Sequence, residues 1–176
     1  MKSKQPKKEK AGQRGGRPQA TRNERQGDTY RHKVRKVEAK LPDESICPDC
    51  GAEFRQGRWR WTKAVRRRGA KRDTCPACRR IRDRYPAGEV TLRGEFARAH
   101  RAELLALLHN LEAKEKARHP LKRLMEVRDA GDELVVTTTD VHLAHGIGAA
   151  LFHAYRGTLH APWAEGGDLL RVSWER

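Results

Sequence analysis

Four cysteines, the only ones in the 176 residues, stand in two pairs: Cys47 and Cys50 in CPDCG, and Cys75 and Cys78 in CPACRRIRDRYPAG. The spacing is Cys47-x2-Cys50-x24-Cys75-x2-Cys78. A tight CxxC turn presents two thiolates about 3.5–4 Å apart, and two such turns supply the four soft ligands of a tetrahedral zinc site. Gly51, directly after the first pair, permits the backbone conformation of such a knuckle, and Pro48 and Pro76 stiffen both turns. A thioredoxin-like redox pair would need one CxxC entering a helix in a βαβ setting, which the sequence does not offer. A cytoplasmic location is the expectation, and structural disulfides are not expected there. One Zn2+ per chain, held by Cys47, Cys50, Cys75 and Cys78, is the expectation.

The basic residues around these cysteines pose a second chemical question. The formal net charge is +16, and it is unevenly placed. Residues 1–40 carry +10, residues 41–54 carry -4, residues 55–84 carry +11, and residues 85–176 carry -1. Zinc on four thiolates has a formal charge of -2, so Arg79 and Arg80 are expected to stabilise the site. The 13 bases of residues 55–84 exceed that need. The surplus is expected to form a phosphate-contacting face, made of Arg58, Arg60, Lys63, Arg66, Arg67, Arg68, Lys71 and Arg72, with Arg55 beside them. Trp59 and Trp61 would either stack on unpaired bases or form the ribbon's own core, and the core has the stronger claim. The partner this implies is RNA or the ribosome, with DNA compatible with the same charge pattern.

Several elements must position these groups. RWRW, residues 58–61, alternates basic and aromatic residues and predicts a strand with both tryptophans on one side. TKAVRRRGAKRD follows as an exposed basic loop turning at Gly69. A helix is predicted over 95–118, with Phe96, Leu104, Leu107, Leu108 and Leu111 at helical spacing and Pro120 beyond its end. Then LKRLMEV and ELVVTTT predict strands around a turn at residues 129–132. Asp140 can cap a helix, VHLAHGIGAALFHAY, which Gly157 ends. GTLHAPW and DLLRVSW predict the last two strands. His142 and His145, three apart on that helix, read as exposed polar residues. The N-terminal 40 residues lack hydrophobic periodicity and predict a disordered arm suited to following phosphate backbones.

Composition sets further bounds. Hydrophobic residues make up 36% of the chain and the mean hydropathy is -0.94, so part of it is expected to build no core. There is no run of 18 apolar residues and no apolar stretch behind the basic N-terminus, so neither a membrane span nor a secretory signal is expected. No phosphate-binding glycine loop, nucleophile elbow or HExxH is present, and a non-enzymatic role is expected.

The knuckles CPDCG and CPAC, followed by RRIRDRYPAG, resemble those of a family of small bacterial zinc-ribbon proteins. That family is similar in turn to the N-terminal part of the eukaryotic and archaeal large-ribosomal-subunit export adaptor, nonsense-mediated decay protein three. The stretch GDELVVTTTDVHLAHGIGAAL resembles the strand–helix segment that follows the zinc region there. The resemblance to the bacterial family runs from about residue 45 to 176 and is patchier for the adaptor, and it implies an RNA- or ribosome-associated zinc protein.

Together these readings predict an α+β chain: a disordered basic tail (1–42), a four-cysteine zinc ribbon (43–90), a connecting helix (91–119) and a small β-β-α-β-β unit (120–176). A competing expectation is a protein-interaction adaptor, with the C-terminal unit as docking surface and a purely structural zinc site.

Overall fold

A computed structural model describes residues 44–62, 69–162 and 169–176. The basic tail and Lys63, Arg66, Arg67 and Arg68 of the loop lie outside the described residues. The chain is α+β, with a small cysteine-bearing ribbon and a five-stranded sheet covered by helices.

The ribbon is an antiparallel sheet in the order β1 (Ser45–Ile46), β2 (Glu53–Arg55), β3 (Arg58–Arg60). The expected RWRW strand is present but ends at Arg60. Helix α1 (Pro76–Arg82) starts within the second cysteine pair and contains Cys78. Phe54 and Trp59, cross-strand neighbours on β2 and β3 with ring centroids 5.5 Å apart, join Ala52, Ala77 and the cysteines in the ribbon's interior. That apolar complement is small for a unit of this size, and such units usually need a metal to fold.

The large sheet runs β5-β6-β4-β8-β7, built from β4 (Gly88–Arg93), β5 (Leu124–Ala130), β6 (Glu133–Thr138), β7 (Thr158–His160) and β8 (Leu170–Glu175). All neighbours are antiparallel except β4 and β8, which pair in parallel from Gly88↔Leu170 to Arg93↔Glu175. The β-β-α-β-β unit is thus present as β5, β6, a helix, β7 and β8, but its sheet has a fifth strand in the middle. That strand, β4, comes from the segment GEVTLR, which the sequence reading divided between the ribbon and the connecting helix. Its alternation is clear once seen: Val90 and Leu92 are fully buried, while Glu89 and Thr91 are half-buried.

Three helices cover one face of the sheet: α2 (Glu95–Ala99), α3 (Arg101–Arg118) and α4 (Val141–Tyr155). Helix α4 begins where expected, with the Asp140 carboxylate accepting from the Leu143 amide at 3.0 Å. It lies on β8 and β4, and α3 packs against it. The single helix expected over 95–118 is broken at His100, which ends α2 and starts α3. Leu104 and Leu108 of α3 are completely buried among Leu143, Ile147, Leu151 and the sheet residues Val136 and Trp174. The helix therefore builds the core as well as connecting, each such side chain contributing about 1.5–3 kcal/mol by leaving water. Among the described residues, no helix is long and apolar enough to cross a membrane.

Candidate metal centre

The four cysteines come together. Their Sγ atoms all lie within 4.8 Å of one another, near enough to hold one metal ion. Cys47, Cys75 and Cys78 are buried and Cys50 is half-buried, and all four are free thiols. The first pair is shaped by a turn in which the Gly51 amide donates to the Cys47 carbonyl at 2.9 Å and the Cys47 amide to that of Ala52 at 2.8 Å. Gly51 has φ +78°, in the left-handed region the knuckle requires. The second pair opens α1: Cys75 is its N-cap and Pro76 stands at its first position. One half of the redox criterion, a CxxC entering a helix, is therefore met where none was expected. The βαβ setting is not, since α1 follows a three-stranded antiparallel ribbon, and four thiols converge rather than two.

Main-chain amides aim at the sulfurs, Cys75 N–H at Cys47 Sγ (3.3 Å) and Cys78 N–H at Cys75 Sγ (3.5 Å). Such donors stabilise thiolate charge. Cys50 and Cys75 sit 3.7 Å apart, within hydrogen-bond reach of one another. The hydrogen bond with Cys75 holds Cys50 down to about 4, against the effect of its burial. The same bond and burial push Cys75 far above the usual thiol range. Burial raises Cys78 to about 11 despite the opposing pull of Cys75 and Arg123.

The cation at this site is one that sequence reasoning missed. Arg123, just before β5, is only 7% exposed and donates from Nη1 to Cys78 Sγ at 3.2 Å. Burial works against its charge, but the pull of Cys50 and the charges on Cys50 and Cys78 outweigh that and raise its pKa above the ordinary value. The arginines expected in this role point elsewhere. Arg79 binds Asp73 and the Thr74 carbonyl, and Arg80 the Tyr85 carbonyl. Nothing in the local pattern LKRLMEV distinguishes Arg123, because its 45-residue separation from Cys78 is closed only by the fold.

Some of the bases expected on a phosphate-contacting face fall among the described residues. Arg58, Arg60, Lys71 and Arg72 are all exposed on the ribbon, while Arg55 pairs with Glu44 at 3.7 Å. The two tryptophans part company. Trp59 is 7% exposed and belongs to the ribbon's core beside Phe54, so its ring is not offered to a base. Trp61 lies past the end of β3, where alternation no longer applies. It leaves the ribbon, and its indole N–H donates to the Lys116 carbonyl at 2.5 Å on α3. Its ring lies 5.8 Å from the Arg123 guanidinium. Between ribbon and sheet unit is a cleft of about 430 Å³, with Phe54, Arg58 and Trp59 on one side and His119, Leu121 and Lys122 on the other. His142 and His145 are exposed, as expected.

In comparisons with protein-family models, curated proteins and solved structures, no match to this chain was found.

Proposed function

We propose that this chain is a non-enzymatic zinc protein that binds RNA, with the ribosome as the favoured setting. The zinc part rests on the four converging sulfurs. Tetrahedral ligation with Zn–S bonds of about 2.3 Å places sulfurs about 3.8 Å apart, and the Cys50–Cys75 separation is 3.7 Å. Four thiolates with no nitrogen or oxygen donor among them suit zinc over hard cations. Bound there, zinc supplies a fixed charge and a crosslink; the residues hold the ribbon's shape and carry its outer surface.

The observation that carries the RNA reading is the set of exposed cations on that ribbon, Arg58, Arg60, Lys71 and Arg72, none of which has an ion-pair partner among the described residues. Unpaired bases this close together are available to phosphates, and each phosphate contact releases counterions. The resemblance of the cysteine knuckles to those of the ribosomal-subunit export adaptor family points the same way.

The test is RNA affinity as a function of salt. Replacing Arg58, Arg60, Lys71 and Arg72 together with alanine is expected to weaken binding. It should also flatten the plot of log K against log salt by about 0.7 per lost contact on single-stranded RNA. Wild-type affinity and slope in that variant would refute the reading. In parallel, Cys75→Ser is expected to lose zinc, and a normal stoichiometry would overturn the ligand assignment.

A second reading is favoured by a different observation. The sheet face away from the helices carries both signs of charge, with Glu89, Glu126, Arg128, Arg171 and Glu175 along its strands. Such a mixed surface suits a protein partner better than a phosphate chain. Association with a defined protein that survives nuclease and high salt would put this adaptor reading first.

A further inference from the structure

The geometry points to Arg123 as a latch through which the bound metal seats the ribbon on the sheet unit, an inference that rests on the zinc reading above. Arg123 belongs to the sheet unit by its main chain. Its amide donates to Thr139 Oγ1 at 2.9 Å and its carbonyl accepts from the Thr139 amide at 2.9 Å. Its side chain is aimed by a third bond, Nε to the Pro120 carbonyl at 2.7 Å. That leaves the outer end of the guanidinium committed to the ribbon, with Nη1 on Cys78 Sγ and Nη2 buried without a well-directed partner.

A buried cation requires an anionic partner. Among the described residues no carboxylate pairs with Arg123, and the sulfur cluster is the group it meets. A divalent metal is what holds four thiolates within this space, giving a cluster of formal charge -2 against which the guanidinium is set. Loss of the ion removes the group that holds the four sulfurs together against Arg123.

The attachment is reciprocal. As Arg123 reaches from the sheet unit into the ribbon, Trp61 reaches from the ribbon to the Lys116 carbonyl on α3, and the two side chains meet where they cross. Among the described residues, the hydrophobic side chain that the sheet unit packs against the ribbon's core is Leu121, and it is only partly buried. With so little apolar contact, orientation depends on the polar pair. Metal occupancy would then control more than the ribbon's own fold. It would set the direction in which Arg58, Arg60, Lys71 and Arg72 face and the width of the cleft.

Amide hydrogen exchange on the full chain, read beside zinc content, tests this. The informative protein is Arg123→Met loaded with zinc, because it keeps the side chain's length and removes its charge while leaving all four cysteines. It is expected to bind one zinc, yet to exchange on the order of tenfold faster at residues 119–123, Thr139 and 58–61, with β4, β6 and β8 unchanged. Arg123→Lys should recover part of the protection. Chelating the wild type should expose the same residues 119–123, and this arm needs no variant to fold. Wild-type protection at those residues in zinc-loaded Arg123→Met would overturn the latch and leave the zinc site standing. So would unchanged protection there after the metal is stripped from the wild type. Absence of zinc from the wild-type protein would overturn the metal reading, and the latch with it.

Discussion

Loading the site with zinc should displace at least two protons per chain. In the metal-free protein Cys50 is held at about 4, foremost by its hydrogen bond with Cys75. Cys75 is pushed well above the thiol range by that bond and by burial, and Cys78 is raised to about 11, chiefly by burial. Between about pH 6 and 9, Cys50 is thus a thiolate while Cys75 and Cys78 still carry protons. Zinc ligation requires thiolates, so both protons must leave. The sign follows: the free state holds more protons than the loaded one, and affinity rises with pH. Two protons correspond to an apparent association constant that climbs about 100-fold per pH unit across this window. Competition against a chelator of known pH dependence at about pH 6.5, 7.5 and 8.5 gives that slope, and calorimetry in two buffers of different ionisation heat counts the same protons. A slope of one or less would show that the cluster is already mostly ionised when empty, and would refute the reasoning.

Two further perturbations test the packing that carries the site. A Cβ on Gly88 would stand 2.4 Å from Ala144 Cβ and 2.7 Å from Thr138 Oγ1, so Gly88→Ala should push α4 off β4 at a cost of about 1–3 kcal/mol. Thermal melting measures it; adding Ala144→Gly should restore part of the loss, and an unshifted melt would show the contact to be soft. Leu108→Ala removes a side chain with no exposure and should cost about 2–5 kcal/mol in urea unfolding, with zinc content unchanged in the folded protein. A loss below about 1 kcal/mol would mean that α3 is dispensable to the core.

What was legible in the sequence was local. The cysteine pairs could be read because a tetrahedral ligand set imposes short spacings whatever the surrounding fold. Helix α4 could be read to its exact bounds, Val141–Tyr155, because the Asp140 cap and the apolar spacing agree. Strand β6 announced itself through Val135, Val136, Thr137 and Thr138. Long-range features were not legible. Strand β4 opens on the glycine of PAG and owes its place to pairing with β6 and β8, far along the chain. Arg123 is one of 39 basic residues, and only the closed fold distinguishes it. Alternation correctly placed Trp59 and Arg60 on opposite sides of β3, then failed at Trp61, because the rule holds only while the strand lasts. Cys75 as a helix cap was hidden because CPAC reads equally well as a knuckle or a first turn.

The parallel pairing of β4 with β8 bears on how the chain folds during synthesis. All four cysteines precede β4, so they can come together while the rest is still being made. Strand β4, next to emerge, has neither neighbour yet. Its partner β6 follows some 45 residues later and β8 about 80 residues later, a wait of about 4–16 s for β8 at ordinary elongation rates. Until β6 arrives none of the ladder bonds of β4 is made, and until β8 arrives one side of it stays open, the kind of edge that recruits other strands. The early-folding ribbon beside it, carrying a dense positive charge, would keep nascent chains apart until β8 arrives.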